Sequence, residues 1–246
     1  MANELHTSLG TVRILPKDDI PAALFQEFES LPDDPHRTFR IGLSGGSTPK
    51  AFYEWASNEP GFGEVLNRSS NFIWGCSDER HIDLEDDQSN FGNAQRMMLD
   101  PLGVEEATFR PWPVYCQPLE AAERYNRLWE EEMPDHPVFD LCFLGMGDDC
   151  HTASLFPGSP LLDVEVDENF AAVEVPGKGW RLTITPTGLR NCPRVVVSVS
   201  GAGKADAVKQ VFQDEVDIKQ RPIQLLAAMP AKVLWLMDAD AAQHLG

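Results

Sequence analysis

Residues 39–49 read Phe39-Arg40-Ile41-Gly42-Leu43-Ser44-Gly45-Gly46-Ser47-Thr48-Pro49. The first half is a short, almost wholly apolar run, the mark of a strand buried on both faces. Gly45 and Gly46 let the backbone turn tightly, and Pro49 suits the first turn of a helix. Ser44, Ser47 and Thr48 add hydroxyl donors beside uncovered N–H groups and the positive end of the helix. A strand, a glycine turn and a helix start in that order make a cradle for an oxyanion or phosphate. The stretch is neither a Walker A loop nor a G-x-G-x-x-G fingerprint. Its bland alternative is a serine-capped helix start, and the position after a buried strand favours the anion.

The same alternation continues outward. Strands are expected at 10–15, 71–77, 139–144, 181–185, 194–200 and 233–237. Helices are expected at 20–30, from 49, and at 90–99, 119–132, 204–212, 223–228 and 241–245, with a turn at Pro32-Asp33-Asp34-Pro35. Strands without polar alternation, separated by helices, predict an α/β fold. The expected architecture is a single doubly wound, mostly parallel sheet with helices on both faces, Rossmann-like in plan. The chain shows no internal repeat and no long linker, so one domain over residues 1–246 is expected. Ligands of such sheets bind beyond the carboxyl ends of the strands. That rule singles out the loops after Leu43, Ser77, Leu144 and Ser200.

The other three loops carry charged and titratable side chains. In Ser77-Asp78-Glu79-Arg80-His81, Arg80 has the fork to hold a phosphate or carboxylate, and Asp78 and Glu79 are acid–base groups or partners of Arg80. In Gly145-Met146-Gly147-Asp148-Asp149-Cys150-His151, His151 is the best candidate for chemistry, histidine being the usual acid–base side chain at neutral pH, and Asp149 stands two residues before it, suited to orient the imidazole. Ser154 and Cys150 lack a G-x-S-x-G elbow, so activation of a water ranks above covalent catalysis. In Ser200-Gly201-Ala202-Gly203-Lys204, a lysine at a helix start is unfavourable by the dipole unless an anion sits there too. The plain alternatives are a solvated turn for Arg80, a structural histidine for His151 and a surface lysine for Lys204.

Composition narrows the partners. Asp and Glu number 39 against 20 Lys and Arg, a formal charge of −19, which disfavours nucleic acid and anionic membranes. With 42% hydrophobic and 24% charged residues the chain should bury a core rather than stay disordered. Apolar runs such as 195–197 and 233–237 are far short of a bilayer span, and residues 1–10 carry no long apolar segment of a signal peptide. Five cysteines, odd in number and without C-x-x-C, fit reduced thiols of a cytoplasmic protein. No metal site is expected: Asp83, Glu85, Asp86 and Asp87 lack EF-hand spacing and read as a solvated loop. Trp55, Trp74, Trp112, Trp129 and Trp235 read as packing.

Taken in order, these segments resemble a known family. Ser44 to Pro49, Asp78-Glu79-Arg80 with Ser89-Asn90, Gly145-Met146-Gly147, and His151-Thr152-Ala153-Ser154-Leu155-Phe156-Pro157-Gly158 are similar to the 6-phosphogluconolactonases. Arg181-Leu182-Thr183 and Ser200 to Lys204 resemble their later blocks. The likeness runs from about residue 40 to the C-terminus, and the His151 block is its most specific part. It implies hydrolysis of 6-phospho-D-glucono-1,5-lactone to 6-phosphogluconate in the pentose phosphate pathway, without metal or organic cofactor. It also implies the fold shared with glucosamine-6-phosphate deaminases and ribose-5-phosphate isomerase-like proteins. His151 is then the general base with Asp149 as its orienting partner. Ser44, Gly45, Gly46, Ser47, Thr48, Arg80 and Lys204 hold the phosphate, with Arg181 as a weaker member of that set. The implied partner is a small sugar-phosphate lactone; the oligomeric state is left open, a monomer being compatible with the sequence.

Two positions depart from the family. Cys150 stands where glycine is usual between the aspartate and the histidine, and Val175-Pro176-Gly177-Lys178-Gly179-Trp180 lacks the proline-rich form. Alternatives are a glucosamine-6-phosphate deaminase/isomerase or a catalytically impaired sugar-phosphate-binding homologue. The deaminases carry a Phe-Asn-Glu-Pro type segment after their histidine, and Thr152 to Pro157 does not match it.

A surplus of 19 negative charges repels a sugar phosphate at long range. Arg80, Lys204, Arg181 and the loop N–H groups must reverse that field locally, within the roughly 8–10 Å over which salt screens distant carboxylates. Self-repulsion on this scale predicts that the thermal midpoint rises with added salt. A midpoint that stays flat between low and high salt contradicts it.

Overall fold

The computed structural model describes residues 3–32, 34, 36–68, 71–132, 138–163 and 166–245. The expected turn at Pro32-Asp33-Asp34-Pro35 lies partly outside the described residues, because Asp33 and Pro35 are not among them.

Seven strands form the main sheet: β1 (Asn3–Thr7), β2 (Gly10–Leu15), β3 (Thr38–Leu43), β4 (Asn71–Cys76), β6 (Leu141–Gly145), β9 (Arg194–Val199) and β10 (Val233–Asp238), in the order β1-β2-β10-β9-β6-β3-β4. All neighbours are parallel except the β1–β2 hairpin at one edge. All six residues of β10 are buried, as are five of six in β3 and in β9. Both faces of the central strands are therefore covered, which explains apolar runs without alternation. The helices are α1 (Ile20–Glu29), α2 (Ser47–Ala56), α3 (Pro60–Arg68), α4 (Asn90–Ala94, continued by a π turn Gln95–Leu99), α5 (Pro118–Glu132), α6 (Pro186–Asn191) and α7 (Ala205–Gln213). Trp74, Trp112 and Trp235 are fully buried, and Trp235 donates its indole N–H to Leu9 O at 2.9 Å. Among the described residues no helix is long and apolar enough to cross a membrane.

Strand order locates the crevice. From β3 the chain goes to β4 on one side; from β6 it goes to β9 on the other. The opening between β3 and β6 is thus the switch point at which open α/β sheets bind ligands. These strands share only two paired positions, Ile41 with Leu141 and Gly42 with Cys142, whereas β3 and β4 share six.

Several elements differ from the sequence reading. Asp78–Arg80 is not a loop but a short strand, β5, in a second sheet with β8 (Gly179–Ile184) and β7 (Phe170–Val175), order β5-β8-β7. Three polar residues give no periodicity to read, and their strand character comes from pairing with β8. Residues 241–245 form turns rather than a helix. Asp238 takes the Ala241 N–H on its carboxylate and the Ala242 N–H on its backbone oxygen, which closes turns there instead. Residues Pro222–Ala228 are a 3-10 helix. The strands β1 and β7 and the helices α3 and α6 were not expected, although Thr185 before Pro186 is a visible helix start whose hydroxyl accepts Gly188 N–H at 3.0 Å.

At the foot of the crevice, Arg40 on β3 meets Asp140, the residue before β6. Asp140 accepts Arg40 Nε–H at 3.2 Å, Arg40 N–H at 2.9 Å and Arg37 Nη2–H at 3.0 Å. Arg40 is 1% exposed and Asp140 5%. Removing one partner of so buried a pair strands the other charge, at a cost of about 3–5 kcal/mol. Asp140→Ala should lower unfolding stability by that amount in urea melts, and a change below about 1 kcal/mol contradicts the assignment.

Candidate active site

Three central strands and β5 bring the loops together. A pocket of about 200 Å³ is lined by Ser44, Gly45, Gly46, Ser47 and Thr48 after β3, by Asp78 and Arg80, by His151 and by Lys204 after β9. Asn90 and Ser200 complete the polar wall. Beside it lies a cavity of about 720 Å³ around Trp55, which shares Ser47, Thr48 and Ser200 with the first. The smaller pocket holds His151, Arg80 and Lys204, the residues singled out by the sequence.

The β3 loop is an open helix end. Helix α2 starts at Ser47, two residues earlier than Pro49 suggested, and its N-cap Gly46 has φ +108° and no side-chain cap. Among the described residues the N–H groups of Gly45 and Gly46 find no acceptor. They and the helix dipole are left to an anion. Any side chain at Gly45 would collide with Asn90 Oδ1, so glycine is required here by close approach. The loop is braced from beneath by Tyr53, whose hydroxyl donates to Ser44 O at 2.6 Å.

The D-E-R strand separates into three roles. Glu79 is fully buried and does not hold the Arg80 guanidinium. It accepts Asn90 N–H at 2.7 Å, Phe91 N–H at 2.8 Å, Ser89 Oγ–H at 2.9 Å and the backbone N–H of Arg80 at 2.9 Å. It thereby pins the start of α4 to β5. Asp78 lines the pocket and contacts Ser154 Oγ at 2.7 Å and Asn90 Nδ2 at 3.3 Å. Burial pushes both carboxyls above the ordinary value despite these bonds. Arg80 donates to Gln88 O and pairs with no carboxylate among the described residues, so its charge is available to a ligand.

The β6 loop carries Asp149 and His151. Gly147 N–H donates to His151 O at 2.9 Å and Cys150 N–H to Gly147 O at 3.2 Å, closing a tight turn. Asp149 Oδ1 accepts from His151 Nδ1, and from His151 N–H at 3.1 Å. Burial alone would raise the Asp149 carboxyl; the bond to His151 and its charge outweigh burial and hold it below the ordinary value. The carboxylate therefore fixes the Nδ1–H tautomer, which leaves the lone pair on Nε2. Nε2 has no partner among the described residues. Phe156 stacks on the imidazole at 4.2 Å and restricts its plane. A Cβ on Gly147 would strike both His151 and Asp149.

Of the residues expected at the site, Asp149 stands behind His151 rather than in the pocket wall, and Arg181 is not in the wall either. Arg181 pairs with Arg80 across β5–β8, and its Nη1–H donates to Lys178 O and Trp180 O. Burial, then the neighbouring Arg80, pushes its guanidinium down. Lys204 ends a 3-10 turn, Ala202–Lys204, and has no ion-pair partner among the described residues. Asp78 and Asn90 also line the pocket, beyond the binding residues expected from the sequence. Signals existed for both, since Asp78 precedes Arg80 and Asn90 follows the Ser89 cap. The glycine-rich Val175 to Trp180 segment is a tight turn between β7 and β8, with Gly177 at φ +73° and Gly179 at φ +75°.

Cys150 has φ +64°, in the left-handed region where glycine is the usual residue. It is buried, and Sγ lies 3.8 Å from Ala207 O on α7. Left-handed strain of about 1–2 kcal/mol is thus set against burial of the thiol. Cys150→Gly should change unfolding stability by less than about 1 kcal/mol, since relieved strain and lost packing nearly cancel. Cys150→Val should cost more than about 2 kcal/mol, because a β-branched residue fits this backbone worst. Equal stability of the two variants contradicts the account.

A family model described as glucosamine-6-phosphate isomerases/6-phosphogluconolactonase matches residues 20–235. A 6-phosphogluconolactonase from Synechocystis is 34% identical over 210 residues, covering 83% of this chain and 84% of the relative. The solved 6-phosphogluconolactonase of Trypanosoma brucei is 22% identical, with a TM-score of 0.82 over 99% of this chain and 100% of its own. A monomeric glucosamine-6-phosphate deaminase is 18% identical, with a TM-score of 0.76 over 95% of this chain and 99% of its own. At those identities the two structures speak for the fold alone, and the fold is common to both branches. The Synechocystis relative and the family match decide the family: the chain belongs to the glucosamine-6-phosphate isomerase/6-phosphogluconolactonase family, among its 6-phosphogluconolactonases.

Proposed function

We propose that the chain, as one catalytic domain over residues 1–246, hydrolyses 6-phospho-D-glucono-1,5-lactone to 6-phosphogluconate by activating a water with His151. The observation that carries this reading is the Asp149–His151 pair facing a pocket whose other walls are an uncapped helix start, Arg80 and Lys204. A base stands at one side and anion ligands at the other, as a phosphorylated ester substrate requires.

Neutral His151 takes a proton through Nε2 as water attacks the lactone carbonyl, and Asp149 steadies the imidazolium. The tetrahedral oxyanion needs donors. Gly147 N–H is already committed to His151 O and is not one of them. Collapse of the intermediate breaks the bond from C1 to the ring oxygen, and the imidazolium returns its proton to that oxygen. The phosphate, held by the Ser44 to Thr48 loop, Arg80 and Lys204, supplies orientation. The reaction so written calls on no metal or organic cofactor. Five unpaired thiols suit a reducing cytoplasm, where we place the enzyme.

His151→Ala should lower kcat by about 10²–10⁴ with little change in KM. Arg80→Ala should raise KM for the phosphorylated lactone and act much less on a non-phosphorylated one. An unaltered kcat in the first variant, or equal losses on both lactones in the second, would overturn these roles.

A further inference from the structure

The loop that carries Lys204 has little to hold it in shape. Its sequence, Ser200-Gly201-Ala202-Gly203-Lys204, contains two glycines, and Gly201 sits at φ +94°. Glycines of this kind are conformationally permissive, so a fixed turn needs an external clamp. Lys204 itself is a flexible four-carbon stem whose useful placement depends on where its backbone stands.

Asp238 supplies such a clamp. It ends β10, one step beyond the pairing of Met237 with Val199, and so comes beside Ser200 as the chain leaves β9. It is 3% exposed. Its carboxylate accepts Ser200 Oγ–H at 2.5 Å, Gly201 N–H at 3.0 and 2.9 Å on its two oxygens, and Ala241 N–H at 2.8 Å. Gly201 O in turn accepts Lys204 N–H at 3.0 Å, closing the turn that presents the lysine. Ser200 and Lys204 line the pocket; Asp238 does not.

Burial pushes the Asp238 carboxyl up, but its bonds from Ser200, Ala241 and Gly201, with Lys17 nearby, outweigh this and hold it below the ordinary value. At neutral pH it is an anion that can only accept. Ser200 therefore gives its hydroxyl proton to Asp238 and offers lone pairs to the pocket. On this wall the group that can meet an anion is Lys204.

We propose that Asp238 is a positioning residue for substrate binding, fixing the Ser200–Gly201 turn so that Lys204 reaches the phosphate of the substrate. This rests on the reading of Lys204 as a phosphate ligand. Asp238→Asn keeps the shape but turns an NH2 toward donors, breaking at least one bond to the turn.

The test is a double-mutant cycle in steady-state kinetics on the phosphorylated lactone. Asp238→Asn should raise KM roughly tenfold, the scale of one charged hydrogen bond, with kcat within about twofold of wild type. Lys204→Ala should raise KM at least as much, and adding Asp238→Asn to it should change nothing further. Ser200→Ala, which removes a single bond, should show the same pattern at smaller amplitude and carries the test should Asp238→Asn not fold. A raised KM in Lys204→Ala with wild-type KM in Asp238→Asn overturns the inference alone. So does an effect of Asp238→Asn, or of Ser200→Ala, that persists in the Lys204→Ala background. An unchanged KM in Lys204→Ala removes the phosphate role of the lysine, and the inference falls with it.

Discussion

The buried contact between Arg40 and Asp140 joins β3 to β6 at the one place in the central sheet where neighbouring strands barely pair. With two paired positions between them, these strands have too few backbone bonds to fix their spacing unaided. Asp140 closes the lower end by accepting from the Arg40 side chain and backbone and from Arg37. Above Gly42 and Cys142 the strands are free to part. The Ser44 loop rises from one lip and the Gly145 loop from the other. The crevice exists because the chain leaves β3 and β6 in opposite directions, and its geometry holds because a paired charge stands at its base.

Above that base the site is assembled by close approach rather than by bulk. Gly45 must be glycine because Asn90 occupies the space of a side chain, and Gly147 because His151 and Asp149 do. Glu79 spends its carboxylate on the start of α4 and so places Asn90 against the glycine loop. Cys150 shows how far the arrangement tolerates deviation. It adopts a glycine-like conformation, yet Asp149 and His151 on either side of it keep their contact. Strain of about 1–2 kcal/mol is small beside the several burial and hydrogen-bond terms that determine this turn.

The parts legible in the sequence were those with a strong local pattern. The apolar runs of β3, β9 and β10 announced strands buried on both faces, and Ser44 to Thr48 announced an open helix start after one of them. His151 with Asp149 could be read because two residues of spacing suffices for their contact. What stayed hidden depends on pairing or on distant partners. Asp78 to Arg80 looks like a charged loop, and becomes a strand only beside β8. Arg181 is set beside Arg80 by its pairing register, a neighbour no local pattern announces, and it does not line the pocket. Asp238 lies 38 residues from Ser200 in the chain, and no local pattern links the two. The net charge of −19 suggested what the protein avoids; the pocket nonetheless gathers Arg80 and Lys204, which have no ion-pair partner among the described residues.

The central claim is that this site opens a phosphorylated lactone. The most direct measurement follows disappearance of 6-phospho-D-glucono-1,5-lactone with purified wild-type protein, against the spontaneous rate, with and without a chelator. A parallel sample of glucosamine 6-phosphate is monitored for ammonia. The account predicts lactone loss well above the spontaneous rate, unchanged by the chelator, and no ammonia. Lactone loss at the spontaneous rate, or ammonia release in its place, contradicts it.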